Sequence, residues 1–284
     1  RGSYPEEALG CVGRTVQSGP VADALAVSDK VRREQGRKTL TEVDGADRFR
    51  PSLHLDGENA AELIYFGTMA HVQELRERYD ILAVAGNSLG WYTALPASGA
   101  LDATNGWRLV STMASLQKQV KGGQVLMTTV GDDWQPNMAL RVAVQATVQA
   151  LQDRGEEFFC DYSIRLGGHE VLAGTEMSVR ELLVRLPKVA IGGREFPFRL
   201  AGHGPFHTGL CLPTAEQAAE MLRDLPIKMP DCHLIDGFGN VHSPWSADPR
   251  ELLRYTVHNQ VVDTFDFSAC VRTAMREFQP DVLL

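Results

Sequence analysis

A glycine-flanked serine joins an apolar run to a helix-forming segment in the first third of this chain. Residues 81–85 are apolar and predict a short buried strand, and residues 91–95 are compatible with the start of a helix. Residues 86–90, between them, read Gly-Asn-Ser-Leu-Gly. A strand that turns sharply into a helix at a serine lifts the hydroxyl to the carboxyl edge of a sheet, where the helix N-terminus favours negative charge. The pattern predicts an α/β fold and makes Ser88 a candidate nucleophile.

The composition is that of an ordinary globular protein. The chain has 284 residues, of which 44% are hydrophobic and 23% are charged, which suits one large domain or a large domain with a smaller insert. Its apolar runs fall short of the roughly 20 residues that span a bilayer, and no basic-then-apolar segment opens it as a signal peptide would. We therefore expect a cytoplasmic protein without a membrane partner.

Charge and cysteine content exclude two further classes. The formal net charge is −8, which argues against a nucleic-acid partner because phosphate binding needs a basic surface. The five cysteines are odd in number and scattered, without a Cys-x-x-Cys pair. They predict reduced core thiols, and neither a disulfide framework nor a zinc site.

The order of predicted elements indicates a small unit inserted into a larger α/β body. The small unit would span residues 126–199, and the larger body residues 1–125 and 200–284. Within and beside the insert we predict strands at 125–130, 158–164, 170–173 and 195–200 and helices at 138–151 and 177–186. This β-α-β-β-α-β order is typical of a ferredoxin-like, split βαβ unit.

The larger body is predicted to be mostly helical around its strand. Apolar residues recur at intervals of three and four in segments 58–79 and 103–120, as expected of helices with one buried stripe. Further helices are predicted at 21–37, 213–225, 252–261 and 268–278. Residues 42–51 are charge-rich and predicted to form a loop, and residues 202–205 and 236–240 are predicted turns.

A serine nucleophile needs a general base within hydrogen-bond reach, and histidine is the usual one. His207 is the best of eight histidines because it lies in a turn-rich segment, residues 202–208, that enters a helix. A solvent-exposed loop histidine is the alternative interpretation. His203 lies four residues earlier, but the intervening Gly-Pro disfavours a helix and no third ligand follows at a zinc spacing, so no metal site is expected.

Together these motifs resemble the malonyl-CoA:acyl-carrier-protein acyltransferases over nearly the whole chain. The motifs that carry the resemblance are Gly-Asn-Ser-Leu-Gly-Trp-Tyr-Thr-Ala-Leu at 86–95, Leu-Asp at 101–102, Trp-Arg-Leu-Val at 107–110, Gly-Pro-Phe-His-Thr at 204–208 and Asn-Gln at 259–260. The resemblance implies a large α/β-hydrolase-like subdomain carrying a small ferredoxin-like one. It also implies that both ends of this chain are clipped relative to the family.

The resemblance implies a role for each matching residue. Ser88 would attack the acyl thioester of coenzyme A, and His207 would remove its proton and later activate the phosphopantetheine thiol of an acyl-carrier protein. Gln260 would position His207 through its side chain or a neighbouring carbonyl. The backbone N–H groups of Leu89 and Arg1 would form the oxyanion hole. Acyl-CoA and the carrier are then substrates, and no tightly bound cofactor is expected.

The sequence departs from the family at the predicted acyl pocket. Asn87, Met113, Arg165 and Phe206 match substrate-binding positions, but malonyl enzymes have an arginine where Met113 aligns. Because a methionine cannot pair with a carboxylate, an uncharged acyl group is expected to be favoured. Arg165 is an alternative cation for malonyl, although a loop arginine is more often simply solvated.

Three functions are compatible with the sequence. The first is acyl transfer to a carrier in fatty-acid or polyketide assembly, and the second is hydrolysis of acyl-carrier thioesters on the same scaffold. The third is a catalytically silent carrier-binding module. A generic esterase is disfavoured because its histidine would come last in the chain, whereas His207 precedes Gln260.

Overall fold

The computed structural model describes residues 4–284. Its α-helices are α1 Cys11–Thr15, α2 Pro20–Glu34, α3 Leu40–Asp44, α4 Pro51–His54, α5 Gly57–Arg76, α6 Leu89–Ala97, α7 Ala103–Gln117, α8 Met138–Gln152, α9 Glu176–Arg185, α10 Leu212–Met221, α11 Pro249–Arg254, α12 Gln260–Val262 and α13 Phe267–Thr273. Short 3₁₀ turns lie at Glu6–Ala8, Glu156–Phe158 and Gly209–Cys211, and π-helical turns at Tyr255–Asn259 and Ala274–Phe278.

The strands of residues 4–284 form two main sheets and a hairpin. They are β1 Ala83–Ala85, β2 Gly123–Thr128, β3 Cys160–Arg165, β4 His169–Gly174, β5 Val189–Ile191, β6 Arg194–Phe196, β7 Phe198–Arg199, β8 His233–Ile235, β9 Val241–His242 and β10 Phe265–Asp266. These helices and sheets confirm the mixed α/β class predicted from the sequence.

The first sheet has the order β1-β8-β9 and carries the predicted serine turn. Strand β1 pairs in parallel with β8, from Ala83 opposite His233 to Ala85 opposite Ile235. The strand predicted at 81–85 is present as β1, but the expectation that it is buried is wrong, because β1 is an edge strand of this sheet and Leu82 beside it is 52% exposed. The chain leaves the carboxyl end of β1 and enters α6 directly.

The second sheet has the order β10-β3-β4-β2-β7. Its central strands are antiparallel, whereas β10 joins the edge in parallel with β3. Apolar side chains from β2, β4, α8 and α9 form a separate core, including Val125, Leu172, Val148 and Leu182. The elements follow the predicted β-α-β-β-α-β order, with hairpin β5–β6 added; the boundaries at 126 and 199 stay a prediction.

Helices α5, α6 and α7 build the larger core. The periodicity that predicted α5 corresponds to a buried stripe through Leu63, Phe66 and Met69. A buried ion pair lies within this helical body, where Arg32 Nη1 donates to Glu62 Oε1 at 2.8 Å. The Glu62 carboxylate also accepts from the indole N–H of Trp107 at 2.6 Å, so its charge is fully engaged.

Three local predictions need correction. The predicted loop 42–51 overlaps the end of α3, which begins at a capping box between Thr39 and Glu42, and reaches the first residue of α4. The predicted strand 195–200 is divided into β6 and β7 at Pro197, which has no N–H to donate to a sheet. The predicted helix 252–261 changes to a π turn at Tyr255–Asn259 before it ends.

Two further properties bear on the sequence-based expectations. None of the helices within residues 4–284 is long and apolar enough to span a bilayer. All five cysteines are free, and only Cys232 is partly exposed.

Candidate active site

The serine turn has the strained backbone of a nucleophile elbow. Ser88 has φ 54° and ψ −115°, a conformation that side-chain-bearing residues rarely adopt. Gly86 cannot carry a side chain, because a Cβ there would lie 2.0 Å from the carbonyl oxygen of Gly90. At Gly90 a Cβ would meet no atom within 4 Å, so steric crowding requires a glycine at position 86 but not at position 90.

The structure brings Ser88 and His207 together across 119 residues of sequence. Ser88 Oγ and His207 Nε2 are 2.8 Å apart. The His207 backbone also has a positive φ of 57°, and its N–H donates to the carbonyl of Val261 at 3.1 Å. The histidine is 2% exposed, so the alternative interpretation of a solvent-exposed loop histidine is wrong.

Gln260 positions the histidine through its backbone and the serine through its side chain. The carbonyl oxygen of Gln260 lies 2.6 Å from His207 Nδ1. Its side-chain Nε2 donates to the Ser88 carbonyl at 2.8 Å, and its Oε1 accepts from the Tyr92 hydroxyl at 3.1 Å. The π turn before α12 precedes this residue directly, so the bulge helps to aim both groups at the elbow.

These contacts define the tautomer of His207. A carbonyl oxygen can only accept, so Nδ1 carries the proton that is donated to Gln260. Nε2 is then the unprotonated nitrogen, and it accepts from the Ser88 hydroxyl. Burial lowers the pKa of His207 from 6.5 to about 4, against a smaller opposing effect of the Gln260 carbonyl. The imidazole is therefore neutral at physiological pH and ready to accept a proton.

A buried polar network holds the loop that carries His207. The hydroxyl of Ser163 donates to the Phe206 carbonyl at 2.7 Å and accepts from Gln124 Nε2 at 2.7 Å. Gln124 Oε1 in turn lies 2.7 Å from His203 Nδ1. Strands β2 and β3 thereby anchor Phe206, the residue directly before His207. No motif in the sequence singled out Gln124 or Ser163, because neither belongs to a recognisable pattern.

The predicted oxyanion hole is described only in part. Leu89 is the first residue of α6, so its N–H has no intrahelical partner and is free to meet a developing oxyanion beside Ser88. Arg1, the predicted second donor, lies outside the described residues.

The four predicted substrate-binding residues lie in different surroundings. Met113 is 1% exposed within the larger core. Phe206 packs partly buried against that core, and Asn87 has a buried Oδ1 without a hydrogen-bond partner among the described residues. Arg165 is exposed and lines a cleft whose lining residues do not include Ser88 or His207.

The described part of the chain contains no cluster of side chains suited to bind a metal ion. Within residues 4–284, no group of three or more His, Cys, Asp and Glu side chains could hold a metal ion. The His203 ring is engaged with Gln124 instead.

Comparison with known proteins shows a partial similarity in sequence to one transacylase. No model of a known protein family matches the chain. A malonyl-CoA:acyl-carrier-protein transacylase of Haemophilus influenzae is 31% identical over 155 residues, which is 54% of this chain and 46% of that protein. The match thus spans about half the length of the curated relative.

Solved structures extend the similarity to nearly the whole fold. The malonyl-CoA:acyl-carrier-protein transacylase of Coxiella burnetii has a TM-score of 0.74 at 15% identity, covering 98% of this chain and 81% of that one. A type II polyketide acyl-carrier protein in complex with its malonyl transacylase contains a chain with a TM-score of 0.70 at 16% identity, covering 90% of this chain and 77% of that one. The predicted resemblance is therefore confirmed: the chain is similar to the malonyl-CoA:acyl-carrier-protein transacylases in sequence over about half its length and shares their fold over nearly all of it.

Proposed function

We propose that this protein is an acyltransferase that moves an acyl group from coenzyme A to the phosphopantetheine thiol of an acyl-carrier protein, in fatty-acid or polyketide biosynthesis. The observation that carries the proposal is the 2.8 Å contact between Ser88 Oγ and the unprotonated Nε2 of buried His207. The similarity to a malonyl-CoA:acyl-carrier-protein transacylase supports the same reaction class.

In the first half-reaction, Ser88 Oγ attacks the thioester carbonyl while His207 Nε2 takes the hydroxyl proton. The carbonyl oxygen becomes an oxyanion beside the N–H of Leu89. The Nδ1–H bond to the Gln260 carbonyl holds the imidazolium in place during this step. The intermediate then collapses, the carbon–sulfur bond breaks, and His207 returns its proton to the departing coenzyme A thiolate.

In the second half-reaction, the carrier thiol repeats these steps in reverse order. His207 takes the thiol proton as the sulfur attacks the Ser88 ester, and it returns this proton to Ser88 Oγ when the ester bond breaks. The carrier leaves with the acyl group and the enzyme is regenerated. The two substrates use the same site in turn, so ping-pong kinetics are expected.

An acyl-carrier protein is the proposed partner. One structurally similar transacylase has been solved together with a type II polyketide acyl-carrier protein. The fold of this chain is the same as that of the transacylase, which supports an equivalent partner here.

We further propose that the transferred acyl group is uncharged. Met113 offers an apolar thioether where malonyl enzymes of the family have an arginine, and it is 1% exposed in the core. Burying a malonyl carboxylate without a paired cation costs several kcal/mol. Acetyl or longer uncharged chains avoid this cost.

The test is a competition experiment with malonyl-, acetyl- and longer acyl-CoA in the presence of a carrier protein with its phosphopantetheine arm. We expect acyl-carrier to form faster than free acid, with acetyl or a longer chain preferred over malonyl. Release of free acid faster than transfer would favour the hydrolase instead. Preference for malonyl would refute the proposed acyl group and leave the transferase intact.

A matched variant separates chemistry from carrier binding. Ser88→Ala should abolish transfer while the protein still binds the carrier. If wild-type protein binds carrier but transfers no acyl group from any acyl-CoA, the silent carrier-binding module is the correct function.

A further inference from the structure

A polar cleft lies between the second sheet and helix α13. Its volume is about 400 Å³. It is bounded by α8, the facing ends of β3 and β4, and the start of α13. The charged residues that line it are Arg141, Arg165, Glu170, Asp266 and Arg272.

The cleft lies on the opposite side of the second sheet from the candidate active site. Strands β3 and β10 pair Ile164 with Phe265 and Arg165 with Asp266. Ile164 and Phe265 belong to the larger core, and the Phe265 ring is 5.7 Å from that of His207. Because successive side chains of a strand point to opposite faces, Arg165 and Asp266 face away from His207. Arg165 is therefore poorly placed to bind an acyl group on Ser88.

The cleft carries an excess of positive charge. Three guanidinium groups face two carboxylates, and Asp266 is already engaged, both in a 4.0 Å ion pair with Arg272 and at the start of α13. Its Oδ1 accepts from the backbone N–H of Ala269 at 2.8 Å and from the Ser268 hydroxyl at 2.5 Å. Burial raises the pKa of Glu170 to about 7, although Arg165 and Arg141 oppose the shift, so Glu170 contributes less than a full negative charge at neutral pH.

Two buried polar atoms in the cleft have no hydrogen-bond partner among the described residues. They are Nε of Arg141 and Oε2 of Glu170. A buried guanidinium N–H left without an acceptor is costly, and so is a buried carboxyl oxygen. Both atoms would be satisfied by a ligand with an acceptor oxygen for Arg141 Nε and a group that can donate to or accept from Glu170 Oε2.

We propose that this cleft binds a phosphate group. A hydrogen phosphate or phosphate monoester has several acceptor oxygens for Arg141, Arg165 and Arg272, and guanidinium groups suit phosphate geometry. A P–OH can donate to ionised Glu170, and a P–O⁻ can accept from its protonated form. The group can come from free phosphate or from the phosphomonoester of a larger molecule, and both present the same oxygens to the arginines.

The test is calorimetry on the intact protein near neutral pH with two probes, inorganic phosphate and adenosine 3′,5′-bisphosphate. Binding of either probe that is weakened by substitution of the cleft arginines supports the site. Stronger binding of inorganic phosphate indicates free phosphate as the source, whereas stronger binding of the bisphosphate indicates a larger phosphomonoester. If neither probe binds at millimolar concentration, the proposal is wrong.

Variants tie the binding to the cleft. Arg141→Met and Arg165→Met should each weaken binding by about tenfold, which corresponds to about 1.4 kcal/mol. Arg165 is exposed, so its variant remains informative even if Arg141→Met fails to fold. Arg276→Gln is the matched control, because Arg276 is an exposed arginine close in sequence to Arg272 that does not line the cleft. Equal binding by wild type and Arg165→Met, or equal losses in Arg276→Gln, would overturn the assignment.

Discussion

His207 should remain a competent base well into the acid range. Burial lowers its pKa from 6.5 to about 4, and only the neutral imidazole can accept the proton of Ser88. At pH 5.5 a histidine of ordinary pKa is about one-tenth neutral, whereas one with a pKa of about 4 is about 97% neutral. Lowering the pH from 7 to 5.5 should therefore leave the rate of Ser88 acylation nearly unchanged.

The assay is single-turnover acylation by acyl-CoA, quenched at intervals and followed by intact-protein mass between pH 4.5 and pH 8. Circular dichroism at each pH, and return of an aliquot to pH 7 before assay, separate titration from unfolding. A rate that falls about tenfold by pH 5.5, with a midpoint near 6.5, would refute the argument that burial keeps His207 neutral.

The same shift predicts a loss of stability in acid. Between pH 6.5 and 4 the unfolded chain binds a proton at this histidine and the folded chain does not, so the folded state becomes less stable as the pH falls. From pH 7 to pH 5 the loss from His207 should be about 2 kcal/mol. Urea unfolding of His207→Gln, which cannot titrate here, should show a pH dependence smaller by that amount. Equal pH dependence in both proteins would contradict the shift.

Three further substitutions test the serine turn, the buried ion pair of the helical body and the Gln260 side chain. Gly86→Ala should destabilise the protein by several kcal/mol or prevent folding, because its Cβ would lie 2.0 Å from the Gly90 carbonyl oxygen; a normal urea midpoint would contradict the tight elbow. Arg32→Met should cost about 3 kcal/mol in urea unfolding, since it removes the buried cation of the Glu62 carboxylate and leaves only the more exposed Arg37, whose Nη2 is 3.7 Å from Glu62 Oε1; a loss below about 1 kcal/mol would contradict this charge assignment. Gln260→Met keeps the hydrogen bond from His207 Nδ1–H to the backbone carbonyl but removes both side-chain hydrogen bonds. We therefore expect the acylation rate to fall about tenfold while its pH profile is unchanged. A shifted pH profile would show that the Gln260 side chain also determines the pKa of His207.

The elbow could be predicted because its determinants are local. Gly86 and Ser88 are close in sequence, and the apolar run and helix on either side define the turn between them. Helix α5 was predictable for the same reason, since its periodic apolar residues act within one helix. Such features need no knowledge of what packs against them.

The remaining parts of the site depend on distant contacts. The sequence did not determine whether Gln260 contacts His207 through its side chain or through a carbonyl. The answer depends on the π turn before Gln260, which no sequence motif predicts. Ser163 reaches the Phe206 carbonyl only because β3 lies beneath that loop. The sequence could not show which face of the sheet Arg165 occupies, because that depends on the register of β3 with β10. Arg165 lies opposite Asp266, about a hundred residues away, on the face directed away from His207.

The central claim is that Ser88 carries the acyl group, and the most direct measurement is peptide mapping by mass spectrometry after incubation with a mixture of malonyl-, acetyl- and longer acyl-CoA. We predict one acyl adduct on the peptide containing Ser88, with an uncharged acyl group dominant, and none in Ser88→Ala. An unmodified Ser88 in folded wild-type protein, or an adduct that persists in Ser88→Ala, would contradict the claim.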